Sequence, residues 1–175
     1  MVHGNGNVML LSRVAVVRSG GDYRLVLTAP VPANECLFEL VGVSVTVPTR
    51  YSVQVGTAEH LDLPPGCLPE EVLDRYFWRF MNHSCDPSAA VRDRRVLSRR
   101  PLAAWSEVTF NYNTTEYDMA EPFECRCGSM ACQGTVRGFR YLPDAQRRWL
   151  SPWLASHLRA VLDPIGAAGS PTVAS

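Results

Sequence analysis

Lysine is absent from this 175-residue chain: all 17 of its basic residues are arginine, against 17 acidic ones, and the formal net charge is zero. A zero balance lacks the basic footprint of a general nucleic-acid binder. Charged residues are only 19% and hydrophobic ones 46%, which excludes a disordered chain and suits one compact domain with a real core. No apolar run approaches the roughly 20 residues of a membrane-spanning helix. The apolar stretch Val8 to Leu11 is ended by Arg13. It lacks the basic start and roughly 7–15-residue core of a secretory signal. The expectation is a soluble, cytoplasmic protein with no membrane partner and none among nucleic acids. Arginine without lysine, beside abundant Ala, Val, Leu and Pro, reflects GC-rich codon supply and suggests a bacterial source.

What is present is concentrated. Three of the six cysteines, Cys125, Cys127 and Cys132, form a C-x-C-x4-C pattern; Cys36, Cys67 and Cys85 lie apart. A bridge between Cys125 and Cys127 would strain disulfide geometry. Three thiolates at this spacing can converge on one zinc ion, with Gly128 letting the loop turn back. A fourth ligand must then come from elsewhere. Cys36 and Cys67 read as small buried hydrophobes.

Periodicity predicts a mainly β protein of short strands. Strands are expected over 7–17, 23–28, 36–47, 51–55, 89–96 and 108–112. A helix is expected over 69–80, opened by Pro69 with Glu70 and Glu71 in its first turn. Residues 113–124 read as a polar, acidic loop. Residues 142–162 carry helical apolar spacing at Trp149, Leu150, Trp153, Leu154, Leu158 and Leu162, interrupted at Pro152.

Two further strings hold candidate chemistry. Arg79-Phe80-Met81-Asn82-His83-Ser84-Cys85-Asp86-Pro87 offers polar groups after an apolar pair. Asn82 and His83 can hold a polar ligand, although a satisfied core histidine reads the same way. Thr109-Phe110-Asn111-Tyr112 ends in a tyrosine that suits either a core or a site.

In this order the strings resemble the SET-domain protein-lysine methyltransferases. That family carries R-F-x-N-H-S-C-x-P-N, then T-F-D-Y, then a C-x-C-x4-C post-SET motif. The stretch Leu102 to Val108 is similar to its I-x-x-G-E-E-L, and Pro32 to Glu39 to its I-P-x-G-E-x-I-x-E. The likeness runs over about residues 22–140. It implies a SET-domain β-fold with a threaded, pseudoknot-like C-terminal segment, short helices and a zinc-clamped post-SET loop. The implied division is a SET domain over 1–113, a post-SET zinc segment over 114–140, a C-terminal helix over 141–163 and a flexible tail over 164–175.

The resemblance also implies chemistry. S-adenosylmethionine is the implied methyl donor and an amine, usually a protein lysine, the acceptor. Tyr112 is the implied catalytic tyrosine. Asn82, His83, Arg79, Phe110 and Tyr51 are implied to bind the cofactor, with Phe139 covering its adenine. Cys85 is implied as the fourth ligand beside Cys125, Cys127 and Cys132, in one closed, structural Zn2+ site. The chain departs from the pattern where the family has G-x-G, with Asp22-Tyr23-Arg24 there, and where Asn34 and Ser88 replace a glycine and an asparagine. A small-molecule amine acceptor and a catalytically silent SET-like binding module are the alternatives. Glu116, Asp118, Glu121 and Glu124 suit an acidic rim for a basic peptide, or a solvated loop. Arg92, Arg94, Arg95, Arg99 and Arg100 suit an acidic partner, or an exposed hairpin.

Overall fold

The computed structural model describes residues 13–19 and 21–162. The strand expected over 7–17 is partly outside that range. Its described part begins β1, Val14–Ser19, which pairs antiparallel with β2, Asp22–Leu27. The tail expected over 164–175 lies outside the described residues. Along β2, Leu25, Val26 and Leu27 are buried whereas Asp22, Tyr23 and Arg24 are exposed. One half of the strand therefore anchors in the core and the other half projects beyond it.

The expected single strand over 36–47 is two strands, β3 (Cys36–Glu39) and β4 (Val43–Val45). The break is at Gly42, where an added Cβ would lie 2.5 Å from the Asp62 carbonyl oxygen. Only glycine allows that approach. β4 then joins β5 (Val53–Gly56) and β6 (Glu59–Asp62) in the order β4-β6-β5.

The helix expected over 69–80 stops early. α1 spans Pro69–Asp74, with the Leu68 N–H donating to the Glu71 carboxylate at 2.9 Å. A 3₁₀ segment, Phe77–Phe80, follows. The tertiary requirement of Trp78 overrides helical continuation: the ring is buried and its Nε1–H donates to the Val41 carbonyl at 2.8 Å.

β7 (Asn82–His83) leads into a hairpin of β8 (Ala89–Arg92) and β9 (Arg95–Ser98), where one strand over 89–96 was expected. Asp93 and Arg94 both have positive φ, 48° and 64°, as a two-residue hairpin turn demands. β9 sits between β3 and β8. β10 is short, Thr109–Phe110, and pairs in parallel with β7. Tyr112 lies beyond it in a 3₁₀ turn, Tyr112–Thr114, so the expected strand to Tyr112 ends two residues early. The cause is local: the Asn111 side chain accepts the Asn113 N–H at 3.1 Å and starts the turn.

β11 (Phe123–Glu124) and β12 (Thr135–Val136) form a small hairpin. The single expected C-terminal helix is α2 (Asp144–Leu150) and α3 (Ser156–Leu162), separated by a 3₁₀ turn at Ser151–Trp153. Pro152 has no N–H to continue the ladder. Trp149, counted on the apolar face, is exposed.

Two cores result. The larger gathers Leu25, Leu27, Leu61, Trp78, Val91, Val96 and Val108 from the sheets; the smaller gathers Phe139, Leu142, Leu150, Leu154 and Leu158. Among the described residues no helix is long and apolar enough to cross a membrane.

Candidate functional site

The parallel pairing of β7 with β10 assembles the site. It sets Asn82 opposite Thr109 and His83 opposite Phe110, and the Ser84 N–H donates to the Phe110 carbonyl at 3.1 Å. Two strings separated by 25 residues in sequence are thereby fixed side by side.

Each side chain there has a definite task. Asn82 Nδ2 donates to the Tyr23 carbonyl at 3.1 Å and to Glu107 Oε1 at 2.8 Å, tying β7 to the projecting half of β2. His83 Nδ1 accepts the Tyr112 N–H at 3.2 Å. Burial drives the His83 pKa down to about 4, so the ring is neutral at pH 7. With Nδ1 accepting, its one proton is on Nε2, which lies 3.3 Å from Cys85 Sγ. The Tyr112 hydroxyl donates to the Met81 carbonyl at 2.8 Å. Burial, and then the negative charges of Glu116 and Glu107, push its pKa well above the ordinary phenol value. Tyr112 is therefore a neutral phenol with a fixed proton and with oxygen lone pairs still available.

The ring of Tyr112 is caged. Its centroid lies 4.6 Å from Phe110, 5.2 Å from His83 and 5.9 Å from Phe123. Arg79 sits 4.4 Å over the exposed ring of Tyr51 and 3.4 Å from Asp62.

Three cavities that share lining residues follow this arrangement. The largest, about 860 Å³, is lined among others by Asp22, Arg24, Tyr51, Arg79, Asn82 and His83. The next, about 560 Å³, shares Tyr51, Arg79, Asn82 and His83 and adds Tyr112 and Phe123. The third, about 60 Å³, is a narrow recess that keeps Tyr51, Arg79 and Tyr112 and adds Phe110 and Glu116. Tyr112 thus stands where a broad cleft meets a narrow recess.

The four cysteines converge. The sulfurs of Cys85, Cys125, Cys127 and Cys132 all lie within 4.8 Å of one another, and Cys85 and Cys125 are 3.8 Å apart. A disulfide would need about 2.05 Å. A tetrahedral zinc site with Zn–S near 2.3 Å places its sulfurs about 3.8 Å apart, so the donor set fits that ion. Burial pushes the Cys85 thiol far up and the Cys125 thiol up to about 11. At Cys127 burial also pushes up, but hydrogen bonds from the Cys85 and Ser129 backbone outweigh it and the pKa falls to about 6. A divalent cation offsets the cost of burying such thiolates together. Gly128 takes φ 70° in the turn of this loop.

Other expectations are corrected. Phe139 does not line any of these cavities. It is fully buried in the smaller core, with the Arg147 guanidinium 5.4 Å from its ring. The aromatic that reaches the cleft from this region is Phe123, on β11. Residues 113–116 are not a solvated loop: Asn113, Thr114, Thr115 and Glu116 are all buried. Glu116 is therefore no rim residue. Asp118 pairs with Arg140 at 2.8 Å, Glu121 with Arg50 at 3.7 Å, and Glu124 accepts from Thr135 at 3.2 Å. The arginine cluster is likewise engaged. Arg94 pairs with Glu59, Arg95 with Glu39, Arg99 and Arg100 with Asp86, and Arg92 donates to the Pro152 carbonyl.

Asn113 and Glu107 were given no role from the sequence, although Glu107 falls in the stretch similar to I-x-x-G-E-E-L. Asn113 donates to Gln133 Oε1 at 2.8 Å and accepts the Gly138 N–H at 2.9 Å, joining the Tyr112 turn to the cysteine loop. Asn113 has no motif of its own; only an accounting of buried polar groups finds it.

Comparison with known proteins places this geometry in context. No family model matches the chain. Methyltransferase flvH of Aspergillus flavus is 33% identical over 124 residues, 66% of this chain and 64% of that protein. An H3 lysine-36-specific histone-lysine N-methyltransferase of Mycosarcoma maydis is 38% identical over 68 residues, 34% of this chain and 7% of that protein. Human histone-lysine N-methyltransferase SETD1B is 27% identical over 128 residues, 66% of this chain and 6% of that protein. The chain therefore matches less than two thirds of the length of each of these relatives. Among solved structures, KRYPTONITE in complex with mCHH DNA, an H3(1–15) peptide and SAH superposes with a TM-score of 0.51 at 20% identity, covering 70% of this chain and 29% of that one. The fold is shared.

Proposed function

We propose that the chain, similar to SET-type histone-lysine methyltransferases in sequence and fold, is an S-adenosylmethionine-dependent N-methyltransferase whose acceptor is a protein or peptide lysine. One observation carries the reading: Tyr112, its hydroxyl fixed on the Met81 carbonyl, stands at the junction of a broad cleft and a narrow recess. Donor and acceptor can then approach from opposite sides of one phenol. Support for the donor comes from the solved relative, which holds SAH, and support for a peptide acceptor from the H3 peptide in the same complex. That complex also holds DNA, so nucleic acid stays among the partners to be assayed.

Asn82, His83, Arg79 and Tyr51 would hold the donor in the broad cleft, beside Asp22 and Arg24 from β2. When bound, the donor supplies an electrophilic sulfonium methyl. The acceptor nitrogen must be neutral to attack, and burial in a narrow recess lowers its pKa. The lone pairs of Tyr112 orient that nitrogen, because its own proton is committed to Met81. His83 and Phe110 hold the ring in place. Alignment of this kind contributes about 7–11 kcal/mol in well-oriented reactions. The cysteine cluster would carry one structural Zn2+ and clamp the segment that bears Phe123 over the cleft.

The test incubates methyl-labelled S-adenosylmethionine with the wild type and Tyr112→Phe, using mixed proteins and a small-molecule extract as acceptors. Because the chain has no lysine, lysine automethylation adds no background. Label in macromolecules, reduced about 100-fold in Tyr112→Phe, supports the proposal. Label confined to small products favours the small-molecule amine instead. Donor binding without transfer in either protein favours the silent module.

A further inference from the structure

The narrow recess contains one carboxyl that composition and motif place in a solvated loop. Its lining combines Val53, Trp78, Met81, Phe110 and Met119 with polar side chains that include Arg50, Arg79 and Glu121. Glu116 lines the same recess with its side chain only 8% exposed. Its two oxygens differ. Oε1 accepts the Gln54 N–H at 2.8 Å and the Thr115 hydroxyl at 3.2 Å. Oε2 accepts no hydrogen bond among the described residues; it faces His60 Nε2 at 3.8 Å, beyond hydrogen-bonding distance. His60 supplies no stable positive charge there, because burial and then repulsion from His157 lower its pKa. The nearby arginines are engaged elsewhere, Arg50 by Glu121 and Arg79 by Asp62 and the Tyr51 ring. A buried carboxyl oxygen without a donor is expensive for folding alone.

Resting on the reading of this recess as the acceptor channel, we propose that Glu116 is its specificity-determining residue, with Oε2 receiving the ammonium head of an unbranched alkyl chain. A recess whose one unpartnered buried polar atom among the described residues is a carboxyl oxygen, set beside apolar side chains, selects a cation carried on hydrocarbon and disfavours neutral or acidic acceptors. Capture as ammonium is compatible with attack as amine. The N–H bond breaks, an O–H bond forms on Glu116, and the lone pair stays on nitrogen.

The probe is n-butylammonium, with 1-butanol as its neutral counterpart, titrated into the full-length, metal-replete chain and followed by heteronuclear NMR. The wild type is expected to bind butylammonium saturably, with shifts at the residues of the recess. Glu116→Gln keeps an oxygen for the Gln54 N–H and should bind butylammonium about tenfold more weakly, with 1-butanol unchanged. The wild type alone gives a second readout. Burial pushes the Glu116 pKa up to about 7, against hydrogen bonds from Gln54 and Thr115 that pull it down. Affinity should therefore rise between about pH 6 and pH 8 as the carboxylate forms. The other groups facing Glu116 shift away from the middle of that window: burial lowers His60 on β6 and His157 on α3 from 6.5, and burial raises Tyr112. Arg79, paired with Asp62, and Arg50, paired with Glu121, also line the recess. No saturable binding, a flat wild-type profile, or wild-type affinity in Glu116→Gln each overturns the assignment. Methyl transfer is not part of this readout. Loss of transfer with butylammonium binding intact overturns the methyltransferase reading and leaves Glu116 its role. Transfer by Glu116→Gln at an unchanged acceptor KM does the reverse.

Discussion

Single side chains set the electrostatics of the site, and two of them make opposite demands on stability. Glu116 has a folded pKa of about 7 against an ordinary 4.5. A raised carboxyl pKa means that the folded state binds the proton more tightly than the unfolded state. Its contribution to stability is thus best below pH 4.5 and is lost as pH rises toward 7. Glu116→Gln removes that dependence. Urea unfolding across this range should show the variant gaining on the wild type by about 3 kcal/mol between acid and neutral pH. A constant difference would mean that Glu116 does not pay this cost. Asn82 is a structural tie of the other sign. Asn82→Ala leaves the Tyr23 carbonyl and Glu107 without their shared donor, and should cost about 1–3 kcal/mol while weakening donor binding by calorimetry. Wild-type donor affinity in that variant would place the donor elsewhere in the cleft.

At the scale of elements, the two-residue pairing of β7 with β10 does more than its length suggests. It converts the strings Asn82-His83 and Phe110-Tyr112 into one surface, and Cys85 then follows directly into the cysteine cluster. The cysteine loop is held by the same region, through the Gln133 N–H on Cys85 Sγ at 3.3 Å and through Asn113. Metal loss should therefore loosen the cleft without touching Tyr112. Metal analysis by plasma emission is expected to find one zinc per chain, and Cys85→Ser is expected to lose most of it together with thermal stability. Full zinc retention by Cys85→Ser would remove it from the ligand set. The three cysteines on the loop were legible from spacing alone. The fourth was not, because Cys85 is 40 residues away from Cys125 and joins them only through the β7–β10 crossover.

Across the whole molecule, the smaller core buttresses the larger. Its hydrogen bonds run to the segment that follows Tyr112: the Ala155 N–H to the Thr114 carbonyl at 2.9 Å, the Phe139 N–H to the Glu116 carbonyl at 2.8 Å, and His157 Nε2 with the Thr115 carbonyl at 2.7 Å. The broken helices α2 and α3 thus hold the buried polar run in register beneath the recess. Leu158→Ala removes a fully buried side chain from that core. It should lower stability by about 2–5 kcal/mol, and the NMR signals of the Thr114–Glu116 segment should broaden before global unfolding. Broadening confined to α3 would show that the two cores are uncoupled.

The sequence by itself determined the mainly β class, the order of the three strings, Tyr112, Asn82 and His83 as candidates, and the cysteine spacing. These signals are local: alternation, turn residues and fixed offsets survive in one dimension. Tertiary structure alone decided which aromatic reaches the cleft. Phe139 and Phe123 are both single phenylalanines beside the cysteine motif, and only packing sends the first into the α2–α3 core and the second against Tyr112. It also decided the fate of the charges. Glu116 and Glu121 look alike in an acidic run, yet one is sealed beside His60 and the other is paired with Arg50 at the surface. Burial depends on what the rest of the chain places over a residue, and a polar side chain carries no local sign of whether its neighbours in space will be water or Val53, Trp78 and Tyr112.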